Sequence, residues 1–354
     1  MRRGLISWSR AELPEAVLES RVAAAQAAMA RAGLDALVVY TTPARAAGVA
    51  WLAGFVPYWN EALLVVPRAG APALVSALSN RVQDWIQRNA HVGEVRNAPR
   101  IGTEAAKVVA RGTAGGVIGV VDLAHLPAAV IEQIRGEGFR VEDASGVLAQ
   151  LRAVADPADL ALHFRAAHIA HRALSAIPAG ETDAGAAIAR ADGKARRLGA
   201  EEVYPGVAAD LARSRALVRV DGPARLGELA AVRLSVAYKG AWVRLTRTLS
   251  RDPGLAARID GAAARLAAAV AGLPRTDDLA ACTSWVIEAT RTTMPLEPLA
   301  GAMIDDPVPL SAGSLVNVQA GFMIEGTPVL TGGPVLIGQA GAPACLLVPP
   351  VFAA

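Results

Sequence analysis

Apolar and polar positions in the first 150 residues alternate between a helical period and a strand period. Residues 15–33, EAVLESRVAAAQAAMARAG, place apolar side chains every three or four positions and stop at Gly33, which predicts an amphipathic helix with a glycine terminator. LDALVVY at 34–40 is a short apolar run suited to a buried strand. EALLVVP at 61–67 and APALVSA at 71–77 predict two more, with Pro67 and Gly70 marking the turn between them. GGVIGVVD at 115–122 predicts a central strand. Its glycines lack the full GxGxxG spacing and a following ribose-binding acid, so it is read as a tightly packed strand and not as a phosphate loop. A helix over 126–138 and a strand over 139–145 complete this half.

The pattern changes near residue 150. A long helical period runs from Asp156 to Pro178, with Asp156 placed to cap it and Pro157 in its first turn. A second helix is predicted from Thr182, as its cap, to Leu198. Two more are predicted at 253–271 and 276–293, among β hairpins, and strands dominate to the end. VRLSVAYKGAWVRLTRT, Val232 to Thr248, predicts two strands joined by a two-residue Lys239-Gly240 turn. The pattern predicts an α/β domain over 1–150 followed by an α+β domain over 151–354.

Composition adds boundaries to this picture. The 354 residues are 53% apolar and 19% charged, which suits a globular protein with two sizeable cores. The net charge is only +3, lysine occurs only at 107, 194 and 239, and aromatic residues make up 4%, with no basic–aromatic stripe. Nucleic-acid binding is therefore not expected. Glu12 and Glu15 interrupt the stretch after the two N-terminal arginines, so it does not read as a signal peptide. The 29 residues from Gly326 carry no charge, but five prolines argue against a membrane helix there. Cys282 and Cys345 are far apart in sequence and are expected to be buried free thiols in a reducing cytoplasm.

Several segments, taken in order, resemble the creatinase/prolidase/aminopeptidase P family. GVAWLAGFVPYWNEALLVVP resembles the turn and strand of its N-terminal domain. DPADLALHFRAAHIAHRAL resembles the helix that opens its catalytic domain, and IPAGETDAGAAIA its Pro-Gly-x-Thr-Glu junction. RLGELAAVRLSVAYKGAWVRLTRTLS resembles its Leu-x-x-Gly-Asp, strand, turn and Thr-Arg-Thr pattern, and LSAGSLVNVQAGFMIEG its late strand. The resemblance implies a creatinase-like N-terminal α/β domain followed by a "pita-bread" domain. It also implies a homodimer, or a heterodimer with an active relative; the thiols and the proline-rich tail place the expectation in the cytoplasm and off the membrane.

Metalloenzymes of that family hold two divalent ions through two aspartates eleven residues apart, a histidine and two glutamates. Oxygen donors suit such cations. Here the aspartate positions fall on Arg233 and Arg244, with the spacing of eleven intact. One glutamate position falls on Gln319 and the last near Gly332 or Gly333, and no histidine follows His171. No metal and no cofactor are expected, nor conventional Xaa-Pro peptidase activity. The family also contains creatinase, which works without metal through a histidine and glutamates, but ADLARSRALVRVD, the matching segment, has no histidine. His163, His168 and His171 share one helix and are expected at the surface or between the domains, not in catalysis.

If Lys239-Gly240 is the turn, Ser235 opposes Arg244 and Arg233 opposes Thr246, so the arginines are diagonal neighbours about 7–8 Å apart at Cβ. At an effective dielectric of ~20 and a ~5 Å separation their repulsion costs about 3 kcal/mol. Two accounts answer it. Acids such as Glu202, Asp210, Asp305 or Glu325 pair with the arginines and fill the old site. Alternatively the pocket binds a small carboxylate or phosphate, with Arg233, Arg244, Gln319, Tyr238 and Trp242 as its lining. The chain is then a catalytically degenerate relative of the family. Two rivals are a metal-independent hydrolase or lyase of a carboxylated C–N substrate, with Glu202 or Asp210 as base, and a non-enzymatic interaction subunit.

Overall fold

The computed structural model describes residues 8–43, 45–113, 115–220, 222–290, 302–304, 310–338 and 341–349. The chain divides into two compact units, one of Ile6–Arg152 and one built chiefly of Ala153–Ala354.

In the first unit the elements run α1 (Glu15–Arg31), β1 (Ala36–Thr41), α2 (Ala47–Ala53), β2 (Ala62–Pro67), β3 (Ala73–Ser76), α3 (Gln83–Asn89), β4 (Glu94–Asn97), α4 (Ile101–Ala110), β5 (Gly116–Val121), α5 (Ala128–Gly136), β6 (Phe139–Asp143) and α6 (Ser145–Leu151). The strands form one sheet in the order β4-β3-β2-β1-β5-β6. β1, β5 and β6 are mutually parallel, and β2 runs antiparallel to β1 and β3. Alternate residues divide between two helical layers. Leu37, Val39, Leu64 and Val66 pack with α1, α2, α3 and α6, whereas Val38, Leu63, Val65 and Val120 pack with α4 and α5. Strands buried on both faces explain the continuous apolar runs in the sequence.

The second unit contains α7 (Pro157–Leu174), α8 (Ala184–Arg197), β7 (Glu202–Ala208), β8 (Leu229–Tyr238), β9 (Ala241–Ser250), α9 (Ala256–Ala271), β10 (Ser284–Ala289), β11 (Ala302–Ile304), β12 (Leu315–Ile324), β13 (Thr327–Leu336) and β14 (Cys345–Leu346). Asp156 caps α7 as expected, its carboxylate accepting from Asp159 N–H at 2.8 Å, with Pro157 in the first turn. The cap of α8 is Asp183 and not Thr182. The Asp183 carboxylate accepts from Ala186 N–H at 2.7 Å, and the helix starts later than predicted.

Among the described residues these strands form one sheet in the order β11-β10-β12-β13-β9-β8-β7, with β14 beside β13. Val232, Leu234, Val236, Val243 and Leu245 pack with α7 and α8. Val316, Val318, Ala320 and Phe322 pack with Ile259, Ala262 and Leu266 of α9. One predicted helix is absent. Over 276–290, the described part of that stretch, the chain makes a short turn at Asp277–Ala281 and then strand β10, because Trp285 and Ile287 join the α9 core from an extended backbone. Cys282 is half-buried, but Cys345 is exposed, contrary to the expected burial of both thiols. No helix among the described residues is long and apolar enough to cross a membrane.

Candidate functional site

The β8–β9 hairpin turns through Lys239 and Gly240, at φ 50° and 81°, the left-handed pair that a two-residue turn requires. Its register opposes Ser235 to Arg244 and Arg233 to Thr246, as the turn predicts. Because side chains alternate, Arg233, Ser235, Trp242, Arg244, Thr246 and Thr248 project away from the face that α7 and α8 cover. β7 adds Glu202 and Tyr204 to the same face, opposite Ala237 and Ser235. Tyr204 stacks on Trp242, with ring centroids 5.7 Å apart and planes 10° from parallel.

The other half of the sheet closes the site. Gly332 of β13 opposes both Thr246 and Gln319, so three strands meet there. Thr246 Oγ1 donates to Gln319 Oε1 at 3.1 Å, and the Arg244 backbone N–H donates to Asn317 Oδ1 at 2.9 Å. A side chain at Gly332 would place its Cβ 2.4 Å from Val318 O, so this backbone leaves no room for a residue larger than glycine.

β10 supplies the acid. Glu288 opposes Asn317, and its Oε1 lies 3.6 Å from Arg233 Nη1 and 3.8 Å from Arg244 Nε. All three side chains are buried, with exposures of 2% for Arg233, 4% for Arg244 and 1% for Glu288. Charges so deep require one another. Two neutral groups beside them, Ser235 Oγ and Asn317 Nδ2, are buried with no hydrogen-bond partner among the described residues.

Several predicted site residues lie elsewhere. Tyr238 is on the opposite face, in the core beside α7, with the Arg165 guanidinium 5.8 Å from its ring. It opposes Ala241, one position out of step with Trp242, so the two aromatics cannot line one pocket. Asp210 sits in the loop after β7, where its carboxylate accepts from Ala212 N–H and pairs with Arg213 at 3.3 Å. Glu325 pairs with Arg258 at 2.9 Å. Asp305 lies outside the described residues. Of the acids proposed from sequence, Glu202 is the one on the site face. His163, on α7, is buried, with Nδ1 2.8 Å from Asp159 O.

Glu288 was not among the sequence candidates. Its signal was present in SWVIEA, where Trp, Val and Ile favour a strand and Ser284, Val286 and Glu288 fall on one side. Ser235 and Asn317 carry no local signal, because burial alone makes them notable.

The resemblance implies two divalent cations at this place. Arg233 and Arg244 are permanently cationic, Gln319 is neutral, Gly332 has no side chain, and Glu288 lies between the arginines. That donor set does not fit a pair of divalent cations. No group of three His, Cys, Asp or Glu residues that could hold a metal occurs among the described residues.

Residues 21–154 match the Creatinase/Prolidase N-terminal domain family. No curated protein sequence matches the chain. Among solved structures, dipeptidase PepE from Mycobacterium ulcerans is 19% identical, with a TM-score of 0.66 over 96% of this chain and 99% of its own. Xaa-Pro dipeptidase from Bacillus anthracis is 17% identical, with a TM-score of 0.67 over 95% and 99%. The N-terminal domain of FACT complex subunit SPT16 from chickpea is 12% identical, with a TM-score of 0.56 over 94% and 96%. Identities this low speak for the fold and not for the chemistry. The chain thus carries a creatinase/prolidase N-terminal domain, and as a whole it has the mixed α/β, pita-bread-like fold of the prolidases and dipeptidases.

Proposed function

We propose that this chain is a catalytically degenerate protein on the prolidase scaffold, without a dinuclear metal site, whose former pocket binds a small carboxylate or phosphate. One observation carries the reading: two buried guanidinium groups, from Arg233 and Arg244, lie within 4 Å of one carboxylate oxygen of Glu288. A site that accommodates one carboxylate between planar donors has the chemistry to recognise another. Ser235 Oγ and Asn317 Nδ2 add neutral donors beside it.

The test has two parts. Elemental analysis of purified protein should find no stoichiometric manganese, cobalt or zinc, and about two ions per chain would end the reading. Sulfate, phosphate or acetate should raise the melting temperature more than chloride at matched ionic strength, by RT ln(1 + [L]/Kd). The excess should disappear in Arg244→Ala, which still shares any general salting-out effect.

The metal-independent hydrolase or lyase is less well supported, because Asp210 is engaged by Arg213 and no histidine in the described part of this unit lies off α7. An interaction subunit is favoured by a separate observation. Trp59 is 67% exposed and adjoins Tyr58, which is 40% exposed, in the loop before β2. A homodimer, or a heterodimer with a related chain, would bury such residues. Light scattering that reports a 36.4 kDa monomer, with no partner recovered from cells, would remove it.

A further inference from the structure

A cavity of about 440 Å³ belongs wholly to the first unit, so it stands independently of the anion-site reading above. One wall is α1, which presents Glu19, Val22, Ala23 and Gln26 at the three- and four-residue spacing of one helix face. The turn from β2 to β3 makes the second wall through Gly70 and Pro72. The segment between α3 and β4 makes the third through His91, Val92 and Gly93.

Hydrogen bonds hold all three walls in place. Gln26 Nε2 donates to Pro67 O at 3.1 Å and to Gly70 O at 2.9 Å, which ties α1 to the β2–β3 turn. The Gly93 backbone N–H donates to Pro72 O at 2.8 Å, and Gln87 Nε2 to Val92 O at 3.1 Å. A Cβ at position 93 would come within 2.8 Å of Ala71 Cβ, so glycine lets the second and third walls approach this closely. The His91 backbone N–H donates to Ala53 O at 2.8 Å, and its ring meets Trp8 edge-on with centroids 5.6 Å apart. A preformed space of this volume falls within the range of about 300–1,000 Å³ that takes small organic ligands.

The chemistry of the lining is narrow. Val22, Ala23, Pro72 and Val92 make the middle apolar. Among the described residues that line it, Glu19 is the one carboxylate, His91 the one imidazole, and no lysine or arginine occurs. Glu19 Oε1 lies 3.5 Å from His91 Nε2, and the Glu19 side chain is 65% exposed, so its carboxylate is open to a further cation. Seven residues, about 10 Å of helix, separate Glu19 from Gln26, so the apolar part lies between the charge and the amide. One carboxylate and one imidazole are too few donors for a divalent metal ion. A diamine would leave its second charge against apolar side chains. We infer that this cavity binds a small primary monoamine, its ammonium on the Glu19 carboxylate and its apolar body against Val22, Ala23, Pro72 and Val92.

Phenethylamine is the probe, titrated by isothermal calorimetry beside 2-phenylethanol, which has no charge, and 3-phenylpropanoate, which has the opposite one. The amine should bind at about millimolar concentration, the alcohol about fivefold more weakly, and the carboxylate more weakly still. Glu19→Gln keeps the size of an exposed side chain, so it should weaken the amine by about fivefold and leave the alcohol unchanged. His91→Gln should bind the amine at least as tightly as the parent protein does, because the imidazole is not the anion. Ala23 is exposed on α1, so Ala23→Leu fills the apolar part without entering the core. It should abolish binding of the amine and the alcohol while the melting temperature stays that of the parent. Equal amine affinity in the parent and Glu19→Gln, or an amine bound no tighter than 3-phenylpropanoate, would overturn the ligand class. Loss of the amine in His91→Gln with Glu19 intact would overturn the role given to the carboxylate. Amine binding that survives Ala23→Leu, or no binding to the parent protein at concentrations well above millimolar, would overturn the site.

Discussion

Arg247→Met should destabilise the second unit by up to about 3 kcal/mol, and the figure follows from three observations. Arg247 is 2% exposed and lies on the helix-facing side of β9. Its Nη1 donates to Leu174 O at 2.7 Å and to Ile177 O at 2.8 Å, joining the C-terminal end of α7 to the sheet. The last carbonyls of a helix lack intrahelical donors, and a cation there also opposes the negative end of the helix dipole. Two hydrogen bonds to a charged group contribute about 3–6 kcal/mol. Burial opposes them, since it pushes the guanidinium pKa down to about 10, which is worth about 3 kcal/mol against the charged form. Methionine keeps most of the apolar stem, relieves the buried charge and removes the guanidinium donor from both carbonyls, of which Leu174 O keeps the Ile177 N–H at 3.1 Å. Urea denaturation monitored by tryptophan fluorescence reads the difference, with Arg247→Lys expected between the two because it retains the charge in a single donor head. If Arg247→Met is as stable as the parent or more so, the buried charge outweighs its hydrogen bonds and the account of this contact is wrong.

Acidification should weaken the fold partly through His171. Its pKa is lowered by burial first and then by the charges of His168, Arg172 and Arg247. The unfolded chain therefore takes up this proton before the folded chain does, and stability falls as pH drops below about 6.5. His171→Gln should flatten the melting temperature between pH 7 and 5, and an unchanged slope would exclude the contribution. The two thiols should differ toward iodoacetamide at pH 8. Cys345 is exposed, whereas burial raises the Cys282 pKa from 9.0 to about 11, so peptide mapping should find Cys282 alkylated about a hundredfold more slowly. Equal rates would refute the burial argument. Thr248 Oγ1 donates to Leu330 O at 2.6 Å and accepts from Leu330 N–H at 3.0 Å, bridging β9 to β13. Thr248→Val should cost about 1–3 kcal/mol and Thr248→Ser much less, both measured by denaturant midpoint.

Periodicity alone carried β1, β2, β3 and β5 of the first unit, because these strands are buried on both faces and read as apolar runs, whereas α2, α3, β4, α4 and α6 were not read from it. The β8–β9 hairpin was equally legible. Lys239-Gly240 is a turn that only residues tolerant of positive φ can make, and it sets the register that brings Arg233 and Arg244 to one face. The same register separates Tyr238 from Trp242, which follows from counting alternate positions along the strand. What counting cannot supply is the identity of the layer on each face. That α7 and α8 cover Tyr238 while Arg233 and Arg244 turn away was decided by how the helices dock. β10 was lost to the sequence because its strand character comes from pairing with β12, 27 or more residues further on, and not from its own short run. Glu288 went with it. A carboxylate that meets two arginines 44 and 55 positions away along the chain leaves no periodic trace, since the charges are brought together only when the two halves of the sheet pair. The sequence determined that two cations stand where acids are expected. The tertiary structure alone brought the Glu288 carboxylate within 4 Å of both.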